Sequence, residues 1–312
     1  MLLTHYWGTE VSIRTIGLAN VILKNIGYSI LGEDLCLKVK SYKLGEELDP
    51  FGMELWKDGR EFEVNSKIRK YDDCDLSTLL SKGKKQNESL IYEGLFQEGW
   101  FLKENEERIR NMFNLPNVSI RDPNDMIVFV RLGDVAHIAP PYSYYQDAIE
   151  TIQRDLSPKS KSYSNVSSMN NSYIATDSPN HPIVKRLIKK YCLKLVKYND
   201  VDTILFAREF DNIILTAGTY NWLAAFLSKA KNIIYPEHAH FWHGDIYGIF
   251  NWTKIKWRSK APLRYLIINR YFQQYDDFIH FYRYLKRIIR GVIISPAIKI
   301  KGFLRKIGNF KF

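Results

Sequence analysis

Residues 126–134 read Met126-Ile127-Val128-Phe129-Val130-Arg131-Leu132-Gly133-Asp134. Five apolar residues in a row, rich in β-branched and aromatic side chains, predict a strand. Within a few residues of its end the chain delivers a guanidinium, a glycine and a carboxylate. Two later stretches repeat the design. Tyr173-Ile174-Ala175-Thr176 leads to Asp177-Ser178-Pro179, and Ile213-Ile214-Leu215-Thr216 leads through Ala217-Gly218 into Thr219-Tyr220-Asn221-Trp222. Helical patterns fall between them, over 144–154, 181–192, 202–210 and 219–227, with further strands over 193–197 and 232–235. Strands alternating with helices at this spacing predict an α/β fold with a parallel sheet, whose ligands bind beyond the carboxyl ends of the strands.

The three strand ends supply the candidate binding residues. Arg131 can hold two phosphate oxygens through parallel hydrogen bonds. Gly133 lets backbone approach a ligand, and Asp134 can orient the arginine or cap the next element. Asp177 is placed to read a base or ribose, or to act as a helix N-cap ahead of Ser178-Pro179. Gly218, Thr219 and Tyr220 open a helix whose free N–H groups and dipole favour an anion.

Working outward, residues 2–6 read as a short strand and Val11–Ile26 as a helix closed by Gly27, the opening of a βα unit. Residues 32–87 are polar and irregular, and no element is placed there. A helix with an acidic start runs from Glu104 to Asn114, Leu115-Pro116 ends it, and Asp122-Pro123-Asn124-Asp125 marks a connection between domains. At 312 residues two domains are expected, over 1–122 and 123–250, followed by a tail over 251–312.

Charge divides the chain. The net charge is +11, yet residues 251–312 hold 15 Lys and Arg against Asp276 and Asp277, so residues 1–250 carry 30 basic and 32 acidic groups. The tail interleaves its cations with Trp, Tyr, Phe and Ile. Its readings are a solvated helix face packed on the body or contact with an anionic membrane surface through 285–312, favoured over nucleic acid. Three scattered cysteines exclude a disulfide framework and a cysteine-rich zinc module. With no basic leader and no spanning run, the expectation is a cytoplasmic protein, peripheral at the inner membrane face.

Two parts of the sequence carry metal-ligand patterns. His238, His240 and His243 with Glu237 and Asp245 have spacing that fits a divalent ion, although hydrogen bonding to a substrate is the favoured role. Asp73-Cys74-Asp75 and Asp200-Val201-Asp202 are read as chance pairs or helix caps rather than metal ligands. No metal or other cofactor is expected. There is no P-loop, dinucleotide fingerprint or nucleophile elbow.

The segments from about 90 to 236 resemble the α-1,2-fucosyltransferases of glycosyltransferase family 11. The family's His-x-Arg-Arg-Gly-Asp-Tyr is similar to Phe129–Val135, and its Tyr-Tyr before an Ala-Ile helix is similar to Tyr144-Tyr145 with Ala148-Ile149. Its Asn-Ser-Thr-Phe-Ser-Trp-Trp-Ala-Ala-x-Leu resembles Ala217–Leu227, and its Gly-Tyr-Phe-Gln resembles the segment from Gly94 to Gln97. Phe129, Leu132, Val135 and Gly218 stand where the family has His, Arg, Tyr and Ser. Trp7-Gly8-Thr9-Glu10-Val11-Ser12 occupies the place of its N-terminal glycine-rich run. The resemblance implies a GT-B fold of two facing Rossmann-like domains and an inverting, metal-independent transfer of fucose from GDP-fucose to a glycan acceptor. It assigns the pyrophosphate to Arg131, support of that arginine to Asp134, the guanosine neighbourhood to Asp177 and phosphate binding to Thr219 with its neighbours. Glu10 and His137 are the candidate general bases by position. The alternatives are a transferase with another nucleotide sugar and a catalytically silent binding protein.

Overall fold

A computed structural model describes residues 2–4, 17–36, 39–40, 46–53, 67–82, 88–92, 94–133, 139–156, 171–237 and 246–257. The fold is α/β, built on two all-parallel sheets. The first holds β1 (Leu2–Thr4), β2 (Val39–Lys40), β3 (Lys67–Tyr71) and β4 (Glu88–Tyr92) in the order β2-β1-β4-β3. The second holds β5 (Met126–Val130), β6 (Tyr173–Thr176), β7 (Lys194–Leu195), β8 (Asn212–Ile214), β9 (Asn232–Pro236) and β10 (Thr253–Ile255). Its order is β10-β9-β8-β5-β6-β7.

That order is the doubly wound one. The chain runs outward from β5 to β7, then returns to lay β8 on the other side of β5 and runs outward again to β10. The direction reverses between β5 and β8, which opens a crevice beyond their carboxyl ends. The helices that make the crossovers are α5 (Tyr142–Leu156), α6 (Pro182–Tyr191), α7 (Asp200–Ala207) and α8 (Thr219–Leu227). Strand β5 is buried throughout, and its alternate residues serve two layers. Met126, Val128 and Val130 join the cluster of Tyr144, Tyr145, Ile149 and Leu187 from α5 and α6. Ile127 and Phe129 join that of Ile204, Trp222 and Phe226 from α7 and α8. Covering both faces is what lets every residue of the strand be apolar.

Helix α1 (Leu18–Asp34) departs from expectation at both ends. Gly27 does not close it. The ring of Phe96 lies where a Cβ at 27 would be, so the glycine admits that ring and the helix continues. Leu18–Gly32 is buried on nearly every side because α1 packs against β1 and β2 and also against α8. One apolar cluster runs from Leu18, Ile22 and Leu23 through to Trp222 and Phe226. Short helices α2 (Leu76–Lys82), α3 (Gly99–Glu104) and α4 (Glu106–Asn111) complete the described first half, with α3 and α4 replacing the single helix read over 104–114. The second sheet also reaches past Phe250, since β10 pairs with β9 in a stretch read as the start of the tail. The remainder of that tail lies outside the described residues.

Candidate functional site

Three neighbouring strands carry their candidate residues to one edge. Arg131 follows β5, Asp177 follows β6 and Gly218-Thr219 follow β8, and these strands lie side by side in the order β8-β5-β6. The Nη1 atom of Arg131 would stand 3.5 Å from a Cβ built on Gly218, so the guanidinium lies against the start of α8. Gly218 adopts φ +116, a conformation that L side chains rarely take, and no side chain caps the helix it opens. A guanidinium and an uncapped helix N-terminus, both positive, therefore share the crevice at the switch point.

Buried tyrosines fix the floor beneath them. Tyr144 donates to the Leu215 carbonyl at 2.7 Å, and Tyr145 to the Thr216 hydroxyl at 3.0 Å. Tyr247 donates to the Gly218 carbonyl at 2.8 Å and to that of Thr216 at 3.2 Å. Burial pushes the Tyr144 hydroxyl well above its ordinary range, so it remains a donor. The Tyr-Tyr pair singled out in the sequence thus holds the loop between β8 and α8.

Asp177 is bonded to the turn that follows β5. Its Oδ1 accepts from the Leu132 N–H at 2.9 Å and from the Ser178 hydroxyl at 3.0 Å, and its Oδ2 accepts from the Gly133 N–H at 3.0 Å. The contact to the Arg131 Nε is longer, 3.9 Å. The carboxylate brackets the turn after β5. Gly133 is needed there because a Cβ would come within 2.8 Å of that Oδ2.

Thr219 does not leave its hydroxyl idle. It donates to the Oδ1 of Asn20, at 2.7 Å, in the first turn of α1. The same oxygen accepts from the Nε2 of Gln97, also at 2.7 Å. Tyr220 turns away: its hydroxyl donates to the Asp200 carbonyl and its ring meets Phe129 edge-on. Burial raises its pKa. Asn20, Gln97 and Tyr247 were not among the expected site residues. Gln97 lay in a quoted segment, but nothing in its spacing signalled a polar contact with residues so distant in the chain.

Glu10, Asp134 and His137 lie outside the described residues, as do His238, His240, His243 and Asp245. Among the described residues no group of three or more His, Cys, Asp or Glu is gathered as a metal site requires. Asp73 accepts backbone N–H groups of Leu95 and Phe96, and Asn199 rather than Asp200 caps α7. Among these residues, too, no helix is long and apolar enough to cross a membrane. No family model, curated protein or solved structure matches this chain.

Proposed function

We propose that the chain is a glycosyltransferase that binds the diphosphate of a nucleotide sugar beyond the carboxyl ends of β5 and β8. The observation that carries this is Arg131 set against the uncapped N-terminus of α8 at the reversal point of a doubly wound sheet. Such crevices take nucleotides in α/β sheets, and helix N-termini take phosphates.

A sugar transfer with inversion needs the acceptor hydroxyl in line with the anomeric carbon, a group to take its proton and positive charge for the departing diphosphate. Arg131 and the first N–H groups of α8 meet the last need with fixed charges that require no metal. Glu10 and His137 are the proposed bases. Fucose and guanosine are the proposed donor groups on the resemblance to family 11 alone, together with a GT-B arrangement of domains over 1–122 and 123–250. The basic tail would hold the protein at an anionic cytoplasmic membrane surface near a lipid-borne or polysaccharide acceptor. Deleting 285–312 should then abolish binding to anionic vesicles.

Calorimetric titration with GDP, UDP, CDP and GDP-fucose, on the full chain and on Arg131→Ala, tests the site. Binding of the guanine ligands alone, lost in the variant, is the expected result. Selective binding of UDP or CDP would replace the donor. If no nucleotide binds, the transferase reading falls and the silent binding protein takes its place.

A further inference from the structure

Helix α8 belongs to the second sheet by sequence and to both halves by contact. It packs against α1 as well as α7, and Trp222 and Phe226, both 0% exposed, share one apolar cluster with Leu18, Ile22 and Phe101. Each end of α8 carries a polar tie to the first half. At its start the Thr219 hydroxyl donates to Asn20 at 2.7 Å. At its finish Arg110 of α4 donates from Nη1 to the Phe226 carbonyl at 2.7 Å, with its guanidinium 4.2 Å from the centre of the Phe226 ring. That carbonyl is one of the four a helix leaves unpaired, and a cation there also meets the negative end of the dipole. The loop that delivers Gln97, the other partner of Asn20, is fastened too. Asp73 accepts the N–H groups of Leu95 and Phe96, and Phe96 is held at φ +54, where a bulky side chain is rarely found.

The connection between the halves is pinned to the second. Arg208 bonds the Pro116 carbonyl at 2.7 Å, and Lys229 bonds the Asn117 side chain at 3.3 Å. Arg121 is held to Glu209 twice, through its backbone N–H to the carbonyl and through Nε to the carboxylate, each at 2.8 Å. Its guanidinium also lies over the rings of Tyr173, Phe206 and Phe210. Hinge motion turns on a few residues free to change φ and ψ, and it is the ordinary expectation unless domains meet through a large apolar interface. Here the connection is held at three residues, and the contact is apolar at its centre and tied at both edges. We propose that α8 is a strut common to both halves that fixes their relative placement, so the crevice at its start is preformed and takes a ligand without hinge closure. The fixed placement does not depend on what the crevice binds.

The native cysteines test this on the full chain. Cys36 follows α1 in the first half and Cys192 follows α6 in the second, and both are exposed. Spin labels on these two, in a Cys74→Ser background, report the distance between the halves by pulsed electron resonance, with and without GDP. One narrow distance, unchanged by GDP, is expected. A broad or double distribution without ligand overturns the proposal, as does a shift on adding GDP. Hydrogen exchange in rising urea supplies a second reading. Amides of β4 should lose protection at the same urea concentration as those of β5 and β8, and Arg110→Met should lower both midpoints together. Separate midpoints in the parent, or an Arg110→Met effect that fails to reach both sheets, overturn the shared strut. Should calorimetry find that the parent binds no GDP, the nucleotide reading falls alone. The unliganded distance and the exchange midpoints then decide for or against the strut.

Discussion

The Asp177 carboxylate grips Gly133 through its backbone N–H at 3.0 Å, and the same oxygen would lie 2.8 Å from any Cβ placed there. Glycine to alanine ordinarily stabilises a compatible site by about 0.4–1 kcal/mol through the unfolded chain. Here the methyl displaces a carboxylate that receives two backbone N–H groups, and charge-assisted bonds of that kind contribute about 1.5–3 kcal/mol each. The loss wins. Gly133→Ala should lower stability in urea unfolding and weaken nucleotide binding by displacing Arg131, two residues away.

Asp73 closes the turn between β4 and α3 with three bonds, to Tyr92 Oη, Leu95 N and Phe96 N. Burial, with Asp73 alongside, raises the Tyr92 pKa far above its ordinary range, so the phenol acts as a donor. Asp73→Ala should cost about 3 kcal/mol or more, since it leaves a buried hydroxyl unpaired and releases the strained Phe96. Equilibrium unfolding reads the change. Parental stability in the variant would show that the turn holds without its carboxylate.

Arg208 is 6% exposed, and its Nε has no hydrogen-bond partner. Its one side-chain bond between described residues runs from Nη2 to the Pro116 carbonyl at 2.7 Å, and desolvation lowers its pKa. No carboxylate among the described residues pairs with it. Pro116 is exposed, so water can replace the arginine there. Arg208→Met should therefore be neutral or stabilising by about 1 kcal/mol, observed as a level or higher Tm. A clear fall would show that the guanidinium does more than pin the linker.

Glu98 precedes α3, and burial, reinforced by the nearby Asp73, raises its pKa above the ordinary glutamate value. A raised carboxyl favours the protonated folded state, so the penalty is absent below the unfolded pKa. It grows as pH rises between the unfolded and folded values and is complete above the folded one. Glu98→Gln should match the parent near pH 3 and exceed its Tm by a margin that widens toward neutrality. A constant margin across that range would remove the linkage.

Strands β5, β6, β8 and β9 were legible because each is a short apolar run bounded by turn residues. Helix α8 was legible at both ends because Gly218 and Ser228 interrupt its pattern. The segment 32–87 was opaque for the opposite reason: β3 reads Lys67-Ile68-Arg69-Lys70-Tyr71, with charges where a buried strand has aliphatics. β10, Thr253-Lys254-Ile255, is a three-residue edge strand, and its residues looked like the basic tail that follows. Helix α1 was misread at its ends because a helix packed on all sides has no polar face to set the period.

The sequence by itself determined the alternating α/β order and the three strand ends with their arginine, carboxylate and glycine-threonine pair, since these follow from local pattern. Tertiary structure decided what each polar group does. Asp177 became a bracket because β6 lies beside β5 and brings its end under the Leu132–Gly133 turn. Thr219 met Asn20 across 199 residues because two buried helices start at the same place. Hydrogen-bond partners are set by packing in space, and no periodicity along the chain records them.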